Sequence, residues 1–235
     1  MGIFSDNLQE EVRLEYLRPA QVEAAKRRQP AIYVPCGALE WHGRHNAVGL
    51  DGLKAHEQLV GLAVRSGGVV YPPLYLGSGG GHIGWPSTHM VDWQPMRQIL
   101  AELLHGFERD GYRKCILLSG HYPNRGAYLA AAAENYRQAG GTMRVLALIE
   151  NQVPDVGGDH AAKFETSAML YLHPRTVTVL TGEPEAGVGN WMDAQFKEHP
   201  CYGLVGIDPR RNATAEVGRV GTEALLRYLS DWLNE

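Results

Sequence analysis

Cysteine is scarce and scattered. Cys36, Cys115 and Cys201 are the three in 235 residues, and no two have CxxC spacing. That argues against a disulfide framework or a thiolate metal site and leaves them as expected reduced core thiols. Long apolar runs are absent too, so no membrane-spanning segment is expected. Basic excess is missing, the formal net charge being -4, so electrostatics offer no general case for nucleic-acid binding. Met1 to Tyr16 alternates acidic and apolar residues without a basic region ahead of an apolar stretch, so no signal peptide is expected there. A cytoplasmic protein that acts on a small molecule is the default expectation. Gly77 to His82 is glycine-rich, but no GKS or GKT follows and the GxGxxG register is missing, so it is not a phosphate loop. It reads instead as a mobile turn covering substrate. No internal repeat or low-complexity tract interrupts the chain.

What is present suits one α/β domain over residues 1–235, since 25.9 kDa is enough to bury a sizeable core. Pro19 opens an expected helix through Gln29, and Ala31 to Pro35 reads as a buried strand. Helical spacing follows at Leu53 to Val64, then strand at Val69 to Tyr71 and an amphipathic helix at Pro95 to Arg109. Cys115 to Leu118 reads as strand, Arg125 to Gln138 as an alanine-rich helix, and Arg144 to Ile149 as strand. His160 to Leu172 is an expected helix, Thr176 to Leu180 a strand, Thr181 to Arg211 an irregular excursion, and Ala213 to Leu233 a long helix. This alternation predicts a single three-layer domain, its mostly parallel sheet flanked by helices on both faces.

Three polar clusters carry the chemistry. Glu40, His42, His45 and Asp51 follow the first strand closely, and Glu40 and His42 are two residues apart, so in an extended turn they share a face. Asp51 is either a metal ligand or an N-cap of the helix that follows. In Ser119 to Asn124, Gly120 permits a tight turn and Asn124 can cap a helix, which leaves His121 over as a ligand candidate. In Asp159 to Ser167, Glu165 runs into an apolar stretch, and a buried carboxylate needs a partner that a metal would supply. Two of these clusters follow predicted strands, where parallel sheets bind their ligands. Trp41, Arg44, His45, His82, Trp85 and Tyr122 are candidate substrate contacts.

Together the clusters resemble the creatininase family, whose members carry Glu-x-His-Gly-x-His ending in Asp, a Gly-His turn with a nearby Asn, and His-Ala-x-x-x-Glu-Thr-Ser. Here these are Glu40, His42, Gly43, His45 and Asp51; Gly120, His121 and Asn124; and His160, Ala161, Glu165, Thr166 and Ser167. Pro72 to Thr88 is similar as well. The resemblance implies a hydrolase with two divalent ions per subunit, zinc, manganese or iron(II), assembled as a hexamer. Its implied ligands are Glu40, His42, Asp51 and His121, with Asp51 bridging. Creatininase has a glutamate two residues after the turn histidine where this chain has Pro123, and Glu165 is the candidate to take over. His160 is the candidate general acid and base. Trp41, Arg44, Asn46, Ala47, Gly81 and Ser87 depart from the common pattern, which makes creatinine an unexpected substrate. The implied reaction is hydrolysis of a C–N bond in an amide or cyclic amide. The alternative is hydrolytic C–C ring opening of a keto-inositol, which polar Arg44, His45 and Asn46 would suit.

Overall fold

The structure, a computed structural model, describes residues 11–235, so most of the Met1 to Tyr16 segment lies outside it. Helix α1 (Pro19–Arg28) starts on proline, whose fixed φ suits a first helical turn. Then follow β1 (Ala31–Cys36), α2 (Leu50–Ser66), β2 (Val69–Val70), α3 (Trp93–Arg109), β3 (Lys114–Ser119), α4 (Ala131–Gln138) and β4 (Arg144–Ile149). The last third holds α5 (Lys163–Leu172), β5 (Val188–Asn190), β6 (Val205–Ile207), α6 (Pro209–Asn212) and α7 (Ala215–Asn234).

Strands β2-β1-β3-β4 form one sheet in that order, every neighbouring pair parallel. Alternation along each strand decides which layer a residue joins. Ile32, Val34, Cys36, Cys115 and Leu117 pack with Leu100 and Leu104 of α3 and Ala132 of α4. Ala31, Tyr33, Ile116 and Leu118 pack on the other face with Leu59 and Leu62 of α2 and Leu225 and Leu229 of α7. Both faces are apolar because both are covered, so the strands read as continuous apolar runs. All three cysteines are free and buried, as core thiols should be. Among the described residues, no helix is long and apolar enough to cross a membrane.

Four elements differ from the sequence reading. Thr176 to Leu180 is no strand: Pro174–Thr176 is a 3-10 turn, and Thr178 makes a lone backbone bond to His45 with no ladder around it. β-Branched composition favours a strand, but no sheet edge is there to receive one. The expected helix from His160 begins instead at Lys163, because Ala161 takes φ 52 and the Asp159 carboxylate accepts the N–H groups of Phe164 and Glu165. Helix α2 begins at Leu50 rather than Leu53, which puts Asp51 inside its first turn, behind a Gly49 cap that offers no side chain. Within Arg125 to Gln138 the first turn, Arg125–Ala130, is a π-helix. The excursion after Thr181 is irregular except for one antiparallel pair, β5 with β6.

Candidate metal centre and active site

Strands β1 and β3 lie side by side with Cys36 opposite Ser119, so the segments after them leave the sheet at one point. One carries Glu40 and His42, the other His121. Asp51 arrives from α2, and two glycines let that helix come close. A Cβ on Gly37 would stand 2.2 Å from the Gly52 nitrogen, and one on Gly120 would stand 2.3 Å from the Asp51 carbonyl oxygen. Only hydrogen fits at either place.

The four side chains are buried, none more than 2% exposed. His121 Nδ1 lies 3.0 Å from Glu40 Oε2 and 3.2 Å from Asp51 Oδ2. His42 Nε2 lies 3.2 Å from Asp51 Oδ1 and 3.8 Å from Glu165 Oε2. Despite this crowding, His42 Nε2 and Asp51 Oδ2 have no hydrogen-bond partner of acceptable geometry. Buried polar atoms are normally satisfied, so unsatisfied ones aimed at a common point are what a cation's ligands look like without it. Two sets bring one donor atom per residue within 4.8 Å of each other: Glu40, Asp51 and His121, and His42, His160 and Glu165. The imidazoles are oriented as ligands are. His42 Nδ1 donates to the Glu40 carbonyl at 3.0 Å and His160 Nε2 to the Trp41 carbonyl at 2.8 Å, leaving the opposite nitrogen of each ring free.

Electrostatics agree with the geometry. Burial disfavours charge on His42 and His121, but the Asp51 and Glu40 carboxylates outweigh it and raise them to about 9 and about 10. Burial likewise works against ionised Glu40, yet His121 and His82 hold it down at about 2. The cluster thus demands positive charge, which protons meet in the metal-free chain. His160 is pushed down to about 4 by burial and by neighbouring His42, so its ring is neutral. Asp159 goes the other way, to about 7, through burial and the nearby Glu165 charge.

Two residues that the sequence reading missed complete the floor. Lys54 Nζ is fully buried and bonded to Glu165 Oε1 at 2.7 Å and Glu150 Oε2 at 2.9 Å. Burial opposes its charge, but the two glutamates outweigh that and hold its pKa well above the usual lysine value. Glu150 is raised by burial to about 7, with Lys54 offsetting only part of it. Lys54 stands one turn beyond Asp51 on the same helical face, and Glu150 directly follows β4; those positions were the available signal. Lys54 also supplies the partner that Glu165 was expected to need: this buried carboxylate has a cation in the chain itself, and its Oε2 accepts from the Ala161 N–H at 2.7 Å.

Glu40, Asp51, His82, His121, Tyr122, His160 and Glu165 line one cleft of about 490 Å³, with His42 behind them. Trp85 packs edge-on to His82, and Trp41, at 6.0 Å from Trp85, joins it and Tyr202 in an aromatic wall. Trp41, Trp85, Arg44 and His45 are not among the residues that line the cleft. Exposed Arg44 donates to the Lys197 carbonyl at 2.8 Å, while His45 meets Thr166 at 2.9 Å and lines a separate cavity of about 160 Å³. Asn124 is not a cap: it accepts from the Ser78 N–H and donates to Ser119 Oγ, tying the glycine-rich loop to the turn after β3.

Carboxylates and imidazoles gathered in a cleft at the carboxyl edge of a covered parallel sheet place this chain among the α/β hydrolytic enzymes. It belongs to the creatininase family, whose model, described as creatinine amidohydrolase, matches residues 15–233. It is 27% identical to the creatinine amidohydrolase of Pseudomonas putida over 87% of this chain and 88% of that one. It is 30% identical to the 3-dehydro-scyllo-inosose hydrolase of Thermotoga maritima, over 89% and 78% respectively. A mycofactocin precursor peptide peptidase of Mycolicibacterium smegmatis is 31% identical over 67% of this chain and 63% of that protein. The fold matches a crystal structure of creatinine amidohydrolase with TM-score 0.78 at 23% identity, covering 96% and 97% of the two chains. Solved creatininase structures include a zinc–zinc form of a mutant and a manganese form.

Proposed function

We propose that this hydrolase uses two divalent ions to cleave a C–N bond in an amide or cyclic amide other than creatinine. The observation that carries the reading is the set of buried, converging, unsatisfied ligand atoms at the cleft floor. Glu40, Asp51 and His121 would hold one ion; His42 and Glu165 would hold the other, with Asp51 between them. Bound there, zinc, manganese or iron(II) would lower the pKa of water toward neutrality and polarise a carbonyl. His160 would handle the proton. With Nε2 fixed on the Trp41 carbonyl, its neutral ring offers Nδ1 as a base, and the imidazolium formed can pass the proton to a leaving nitrogen. Tyr122 and His82 line the space a substrate would fill.

Two relatives carry names that describe amide or peptide cleavage, which supports the C–N reading. Ring opening of a keto-inositol is the second reading, favoured by the third relative. It loses its support from sequence, because Arg44 and His45 lie outside the cleft. A small-molecule substrate, a cytoplasmic setting and a hexamer of this chain belong to the same proposal, the last checked by sedimentation. Two ions per chain by elemental analysis, lost on chelation together with hydrolysis of a cyclic-amide panel, is the expected outcome. Turnover of keto-inositols alone would shift the reading to C–C cleavage, and full metal occupancy in both Glu40→Ala and His121→Ala would overturn the site.

A further inference from the structure

A third set of ligand atoms lies in the same cleft, on the far side of Glu40. Glu40, His82 and His160 each bring one donor atom within 4.8 Å of the other two. His82 Nε2 is 2.8 Å from the Gly203 carbonyl, which can only accept, so Nε2 carries the hydrogen. The other ring nitrogen, Nδ1, is turned to Glu40 Oε1 at 3.1 Å. The two atoms can share a proton in the metal-free chain or a metal ion in its place. Their 3.1 Å spacing is also what two ligands on one ion have when each bond is about 2.1 Å. His160 stacks on His82 with ring centroids 4.0 Å apart, and its Nε2 is likewise committed to a carbonyl. All three residues line the cleft, so an ion there would keep open positions toward solvent.

We propose that Glu40, His82 and His160 form a third, weaker cation position that inhibits the enzyme when filled, an inference that rests on the two-ion reading above. Glu40 would serve two ions at once, Oε2 turned to His121 and Oε1 to His82. Its affinity is lower than that of the other two because an ion already bound through the same carboxylate repels a second one nearby. Inhibition follows from its ligands: His160 cannot both bind an ion and carry a proton. Two imidazoles and one carboxylate form a His2Glu set of the zinc type, whereas the Glu40, Asp51 and His121 set is richer in oxygen and suits manganese as well. Zinc is therefore the expected occupant.

The test is equilibrium dialysis of the full chain against rising free zinc, with bound metal counted by elemental analysis. Wild type is expected to take up two ions at low zinc and a third at higher zinc, while His82→Ala keeps the first two and loses the third. Dialysis of wild type against manganese should stop at two ions, a comparison that does not depend on the variant folding. Hydrolysis of the best amide of the panel should fall over the zinc range in which the third ion enters. Saturation of wild type at two ions, retention of the third in both His82→Ala and His82→Gln, or undiminished hydrolysis across that range overturns the third position and leaves the two-ion reading standing. Absence of any bound ion overturns both.

Discussion

At the scale of single residues, Lys54 is the side chain on which the site's charge balance turns. Five buried or largely buried acids, Glu40, Asp51, Glu150, Asp159 and Glu165, surround the floor, and Lys54 is the chain's own cation directly bonded to two of them. Removing one partner of a buried ion pair leaves the other uncompensated, at a cost of about 3–5 kcal/mol. Lys54→Met is therefore expected to lower unfolding stability in urea by about that amount in the metal-free protein. A loss below about 1 kcal/mol would mean that Glu150, already at about 7, takes up a proton at little cost. Lys54 escaped the sequence reading because a lysine in an amphipathic helix is ordinarily solvated; nothing local reveals that both neighbours across the fold are carboxylates. Arg44 and His45 failed in the opposite sense. Their place in the motif suggested the cleft, but the turn at Gly43, φ 72, directs them away from it.

Among elements, the N-terminal turn of α2 is the misplaced part that the site needs most. Its start at Leu50 rather than Leu53 makes Asp51 a helical residue whose carboxylate faces His42 and His121 instead of capping free N–H groups. Gly37 and Gly120 hold that turn against both strand ends, and this role is unreadable locally because it is a contact between distant segments. Gly120→Ala should displace Asp51: its Cβ would meet the Asp51 carbonyl oxygen at 2.3 Å, a backbone atom that cannot swing aside. Overpacking of this kind costs about 1–3 kcal/mol. The expected result is a lower melting temperature and weaker zinc binding by competition with a chelating dye, in contrast to Gly126→Ala at an exposed position of the π-helix, where nothing lies within 4 Å. Unchanged zinc affinity in Gly120→Ala would show that α2 can shift without moving its ligand. The four strands of the parallel sheet, by contrast, were legible to within a residue or two, since their apolar runs are short and bounded by polar loops, which decides for a covered strand over a buried helix.

For the whole molecule, pH is the readout of the collected charges. His42 and His121 sit at about 9 and about 10, above the ordinary histidine value near 6.5. A raised folded-state value contributes stability that is complete below about 6.5 and lost as pH climbs through the folded values. The chelated protein is therefore expected to melt at progressively lower temperature from pH 7 to pH 10. On the proposed two-ion site zinc would replace those protons, so the loaded protein should not follow that decline, and binding should release protons and tighten over the same range. Melting curves in chelator and in zinc at pH 6, 8 and 9.5 check both; parallel curves would mean that the imidazoles are not ligands. The sequence by itself determined the layered α/β order, the edge of the sheet where chemistry gathers and the residue types that gather there. Those follow from periodicity, strand ends and local spacing, which are properties of neighbouring residues. Only the tertiary structure decided that Lys54 answers Glu165, that His82 rather than His45 faces Glu40, and that Thr176 to Leu180 has no sheet to join. Each depends on what a distant segment places within a few ångströms, and no local pattern carries that.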